Sequence, residues 1–72
     1  MIAELDLVAL TRDLPESRLA AGDVGTVVHR HGHEGYEVEF VTGEGDTLAV
    51  VSLLPADVRL LEDNDILHAR KI

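Results

Sequence analysis

Between two glycine-rich segments, Gly32 to Gly35 and Thr42 to Asp46, the chain reads Tyr36-Glu37-Val38-Glu39-Phe40. Apolar and acidic residues alternate here without a break. An extended strand would therefore put Tyr36, Val38 and Phe40 on one face and Glu37 and Glu39 on the other. A helix would scatter both sets around its circumference. The middle of the chain is thus expected to be a β-hairpin array, and the rest of only 72 residues must close a core against it. A chain this short buries about 60% of the surface its unfolded form exposes. One domain without a large catalytic cleft is the expectation.

The flanking segments extend the same pattern. Leu5 to Thr11 is mostly apolar and too short for a typical helix, so it is predicted as a first strand. Asp13 to Ala21 carries Pro15, which cannot donate a ladder hydrogen bond, and is predicted as a long loop or one helical turn. The pair Leu14 and Leu19 suggests that this loop folds back over one end of the structure. Gly22-Asp23 opens a β-branched second strand, Val24 to His31. Gly22 and Gly25 are read as sites of positive φ or of a bend that a Cβ would obstruct. Tyr36 to Phe40 is the third strand. Thr47 to Leu53 is the fourth, and its nearly apolar composition predicts burial on both faces or cover by the long loop. Pro55-Ala56-Asp57 suits a 3-10 turn, and Val58 to Leu61 a fifth strand. These elements describe an all-β fold: a small five-stranded SH3-like barrel, with a long first loop and a 3-10 turn before the last strand. Residues 1–61 form the barrel. Residues 62–72 form a C-terminal tail, read as an extra strand or an interface segment.

The residues Leu5-x-Leu-Val-Ala-Leu, Asp13-Leu14-Pro15-Glu16, Gly22-Asp23-Val24-Gly25-Thr26-Val27-Val28 and Tyr36-Glu37-Val38-Glu39-Phe40, in that order, resemble a bacterial family catalogued as domain of unknown function 4926. The resemblance runs from Leu5 to Leu61. It implies an SH3-like barrel with local similarity to KOW-type and nitrile-hydratase β-subunit barrels, and it carries over no catalytic or binding residue. An antitoxin or immunity role is what it implies, from members encoded beside candidate toxin genes. The KOW similarity implies ribosome or RNA contact, but acids stand at Glu37, Glu39, Glu44 and Asp46 where that role calls for basic residues.

Charge narrows the function classes. Fourteen Asp and Glu against six Lys and Arg give a net charge of −8, which repels phosphate. Five of the 14 acids, Glu34, Glu37, Glu39, Glu44 and Asp46, fall on or around the central hairpins, and no Lys or Arg stands between Arg30 and Arg59. Such a surface focuses negative potential and speeds capture of a basic protein partner. Its plainer reading is a solvated strand face that resists aggregation. His29, His31 and His33 share one face of an extended chain, the spacing that lets imidazoles converge on a divalent metal. Gly32 interrupts that run, so a solvated hairpin tip is preferred, with a metal- or pH-responsive surface as the alternative. No cofactor is called for.

Catalysis finds little footing. The chain has no cysteine, and neither Ser17 nor Ser52 stands in a nucleophile-elbow pattern. Ser52 is expected to bond a neighbouring backbone group. Tyr36 and Phe40 are assigned to the core, which leaves no aromatic platform for RNA bases. Arg70-Lys71 reads as solvation or a tail contact rather than a nucleic-acid patch. A basic n-region and an 18-residue apolar run are both absent, so a cytoplasmic location is expected. The oligomeric state is left open.

Overall fold

A computed structural model describes residues 2–72. Strands β1 (Leu7–Leu10), β2 (Val24–Arg30), β3 (Tyr36–Val41), β4 (Thr47–Leu53) and β5 (Val58–Leu60) form one antiparallel sheet in the order β4-β3-β2-β1-β5. The helical elements among the described residues are two 3-10 turns, Pro15–Ser17 and Pro55–Asp57. No described helix is long and apolar enough to cross a membrane.

The sheet curls. Leu53 at one edge and Val58 at the other pack into a single core with Val8, Leu10, Leu14, Leu19, Val27, Val38 and Phe40. Edges of an open, flat sheet could not share that cluster, and the 3-10 turn Pro55–Asp57 bridges them directly. This is the small barrel expected from the strand pattern. Val8, Val27 and Val38 are fully buried, and Val27 pairs with Val38 across the β2–β3 ladder. Tyr36 lies half-buried against the same core.

The long first connection closes one end. Leu14 and Leu19 exchange two backbone bonds, N–H to carbonyl at 2.9 and 3.1 Å, and both side chains are buried. The second closure is polar. Asp57 is 8% exposed and accepts the Leu54 N–H at 3.1 Å and Arg12 Nε at 2.8 Å. Thr11 Oγ1 donates to the Ala56 carbonyl at 2.8 Å beside it. The exit of β1 is thereby fastened to the turn that feeds β5.

Gly25 marks a close approach of β2 to β3. A Cβ there would stand 2.6 Å from Val38 Cγ1 and 2.9 Å from both the Glu39 carbonyl oxygen and Phe40 Cε1. Backbone and core ring cannot both yield, so Gly25→Ala is an overpacking change expected to cost about 1–3 kcal/mol. In a domain this small that lowers Tm by roughly 10 °C, measurable by thermal unfolding. Gly22, at φ +92° with open space around it, is needed for its backbone conformation instead.

Several boundaries and placements differ from the sequence expectations. The first strand begins at Leu7, because Leu5 adopts φ +74° in a turn that Asp6 closes on the Ala3 N–H at 2.9 Å. The second ends at Arg30, where the His31 N–H turns to the Gly35 carbonyl at 2.9 Å. The fifth ends at Leu60. The larger correction concerns β4. It is an edge strand, paired among the described residues with β3 alone, and Val50 is 54% exposed. The long loop buries its own Leu14 and Leu19 at the barrel end and leaves the outer face of β4 open.

The tail forms no strand. Asp65 accepts the Glu62 N–H at 2.7 Å and both terminal nitrogens of Arg59 at 3.0 and 3.1 Å, folding residues 62–65 against β5. Arg70 then reaches back to Asp23, Nε to Oδ1 at 2.8 Å and Nη2 to Oδ2 at 2.6 Å, and also donates to the Arg18 carbonyl at 2.9 Å. Of the two readings of the basic end, solvation and a tail contact, Arg70 takes the second.

Candidate acidic docking face

The outward face of the β2–β3–β4 array is set by register. Glu37 stands between His29 on β2 and Ser52 on β4, and Glu39 stands between Thr26 and Val50. One feature of β2 decides which residues join them. Gly25 and Val27 face inward and are buried, and unbroken alternation would have carried His29 inward too. A bulge between Val27 and His29 absorbs Val28 and reverses the phase, so His29 lies opposite Glu37. The shift brings the histidines onto the acidic face. No local sequence signal distinguishes Val28 as the extra residue.

Both central carboxylates are held in place. Glu37 Oε2 accepts Ser52 Oγ at 2.5 Å and lies 2.9 Å from His31 Nε2. The Ser52 hydroxyl first, and the His31 ring second, hold Glu37 below the usual carboxylate range, so it is ionised at neutral pH. Ser52 therefore bonds a cross-strand side chain, not the backbone group expected for it. The outer face of β4 meets the glutamate face of β3, and an acceptor lies within reach. Glu39 accepts Thr47 Oγ1 at 2.6 Å. General acid–base chemistry at neutral pH calls for a carboxyl raised by desolvation, and Glu37 moves in the opposite direction.

The five sequence-selected acids occupy three positions. Glu37 and Glu39 sit side by side on β3. Glu34 lies in the turn at one end of that strand and lines a hollow of about 240 Å³ with His31, Tyr36, Glu37 and Ser52. Glu44 and Asp46 are exposed in the turn at the other end, roughly 20 Å away along the six-residue strand. The acids therefore border a strip rather than converge on a point. Apolar surface shares the strip: Val41, paired with Thr47, is 55% exposed, and Val50 is 54% exposed. This mixed character was not legible in the alternation, because the exposure of Val50 depends on β4 being an edge.

The histidine triplet separates. His29 and His31 rings meet edge to face at 4.6 Å between centroids, while His33 lies exposed in the turn. His29 Nδ1 lies 3.6 Å from Glu4 Oε2, and His31 faces Glu37. Among the described residues no group of three or more His, Asp or Glu side chains is arranged to hold a metal ion.

Elsewhere, a cleft of about 640 Å³ lies between the tail and the barrel end, lined by Leu19, Val24, Phe40, Leu48, Arg70 and Ile72 among others. Asp23 anchors it. The Arg70 guanidinium, with further help from the Ala20 N–H and the nearby His68, holds the Asp23 carboxyl below its ordinary range. Arg12 acts likewise on Asp57, aided by the Leu54 N–H. A carboxyl lowered by folding adds stability that is fully present above its unfolded pKa, ~3.9, and is lost as the pH falls through the folded value. Thermal stability is therefore expected to decline from roughly pH 5 downward as Asp57 and Asp23 protonate. Asp57→Asn is expected to lower Tm at pH 7 and to flatten that decline in a pH series of melting curves.

A family model, described as a domain of unknown function (DUF4926), matches residues 4–62. The match takes in all five strands and stops before Arg70, although its partners Arg18 and Asp23 lie within it. No curated protein and no solved structure matches the chain.

Proposed function

The chain belongs to that family of unknown function, and from this premise we propose that it is a non-enzymatic protein-interaction module. It captures a protein partner with a basic surface on the outward face of β2–β3–β4, in the manner of an antitoxin or immunity protein in the cytoplasm. The observation that carries the reading is the strip itself: ionised Glu37 beside Glu39, flanked by exposed Val41 and Val50. Charge at such a face steers encounter, and apolar area beside it supplies contact that outlasts salt screening. A nuclease-like partner fits the charge, because its nucleic-acid groove is basic and a carboxylate row can occupy it.

The test is differential capture. Immobilised wild-type chain and the Glu37→Lys/Glu39→Lys variant are exposed to the same host extract at physiological salt. The reading expects a basic protein retained by the wild type, released by raised salt, and missing from the variant. Equal retention on both surfaces, or none on either, would contradict it.

A further inference from the structure

The two edges of the sheet are treated differently. On β5 the edge is short, three residues, and carries Arg59, whose guanidinium Asp65 grips from the folded-back tail. These are devices that stop an edge from recruiting another strand. On β4 the edge runs seven residues, Thr47-Leu48-Ala49-Val50-Val51-Ser52-Leu53, without a charge, a proline or a glycine. Its composition is that of a strand with neighbours on both sides, yet β3 is its one partner among the described residues. The tail passes near Leu48 in the large cleft but makes no backbone hydrogen bond to β4. Alternate residues of an antiparallel edge strand point N–H and C=O away from their partner, so β4 offers an unfilled ladder.

We infer that this ladder takes an extended segment of the basic partner, added as a sixth strand antiparallel or parallel to β4, with Lys or Arg at alternate positions. The inference rests on the reading above and specifies how that partner docks. Charge selects the occupant. A strand added beside β4 lies about 4.8 Å from it and about 10 Å from β3. Side chains on its outward face cross Val50 and Ser52, then reach the row of Glu37 and Glu39. Lys and Arg suit that path, since their aliphatic stems lie on Val50 while their heads meet the carboxylates. Ser52 and His31 converge on one oxygen of Glu37, and Thr47 uses one of Glu39, leaving acceptor sites for an incoming cation. A second copy of this chain is disfavoured in the same place. Antiparallel pairing of β4 with β4 sets the Glu44 and Asp46 turn of each copy beside the Ser52 end of the other's β4, the end nearest its Glu37 and Glu34, adding like charge to two chains already at −8.

The full chain is titrated at low salt with a synthetic peptide of alternating lysine and valine, matched to β4 in length. A second peptide has the same sequence with alternate backbone nitrogens methylated. Affinity and amide hydrogen exchange are read together. The expected result is binding of the first peptide, new protection confined to residues 47–53, and about tenfold or more weaker binding of the methylated peptide, which cannot complete the ladder. Equal binding of both peptides without protection of β4 would overturn strand addition while leaving the acidic docking face intact. Failure of both peptides to bind would remove both. Concentration-dependent self-association with β4 protected, before any peptide is added, would assign the edge to a second copy and overturn the inference.

Discussion

Reversing Glu37 and Glu39 to lysine is expected to slow association with the captured basic partner by about 10- to 100-fold at low ionic strength. The rate should converge toward the wild-type value as salt rises, because the Debye length falls from ~10 Å at 0.1 M to ~3 Å at 1 M. Dissociation should change less, since steering acts on encounter. Two controls separate this from a folding effect. Both residues stand on the outward face of β3, opposite His29, Thr26, Ser52 and Val50 and away from the core cluster. Ser52→Ala and Thr47→Ala remove the hydroxyls that hold the carboxylates without altering charge. Stopped-flow or surface-based kinetics at several salt concentrations would read the effect, and a rate insensitive to both reversal and salt would count against electrostatic capture.

The largest stability effect is expected at Phe40. It is the chain's one phenylalanine, 3% exposed, and it packs into the cluster shared by both sheet edges. Truncation to alanine leaves a cavity that close-packed neighbours such as Val38 can fill only in part, and changes of this kind cost about 3–5 kcal/mol. A domain of this length has roughly 4–11 kcal/mol of total stability. Phe40→Ala should therefore leave the protein substantially unfolded near 37 °C in a urea titration. Phe40→Leu restores much of the volume and should recover most of the loss. A Phe40→Ala variant with an unchanged urea midpoint would refute the placement of Phe40 at the centre of the core.

The parts of the fold that were legible in the sequence are those with local causes. Period-2 alternation placed Tyr36 to Phe40 correctly, glycine clusters placed both hairpin turns, and Pro55 placed the 3-10 turn before β5. The fold-back of the long loop through Leu14 and Leu19 was also legible, since two leucines flanking a proline turn have one economical way to bury themselves, although the backbone bridge between them was not. Three features were not. The Val28 bulge shifts the phase of β2 through a backbone choice to which no residue type commits. The edge position of β4 depends on which strands become its neighbours, and an apolar run reads as doubly buried wherever it stands. The Arg70 to Asp23 contact joins residues 47 apart in sequence, beyond any periodicity. At the candidate site the same division holds. Glu37 and Glu39 were found by alternation, whereas the hydroxyls that orient them and the valines beside them emerge only when β4 is seen at the margin of the sheet.

The central claim is that recognition happens on one particular face, and hydrogen exchange on the complex with the captured partner tests it most directly. The account predicts slowed exchange on complex formation across residues 36–53, strongest in β3 and β4, with β1, the long loop at residues 11–23 and the Arg70 tail unchanged. Protection centred instead on the tail cleft around Leu19, Asp23 and Arg70, with β3 and β4 exchanging as in the free chain, would contradict it.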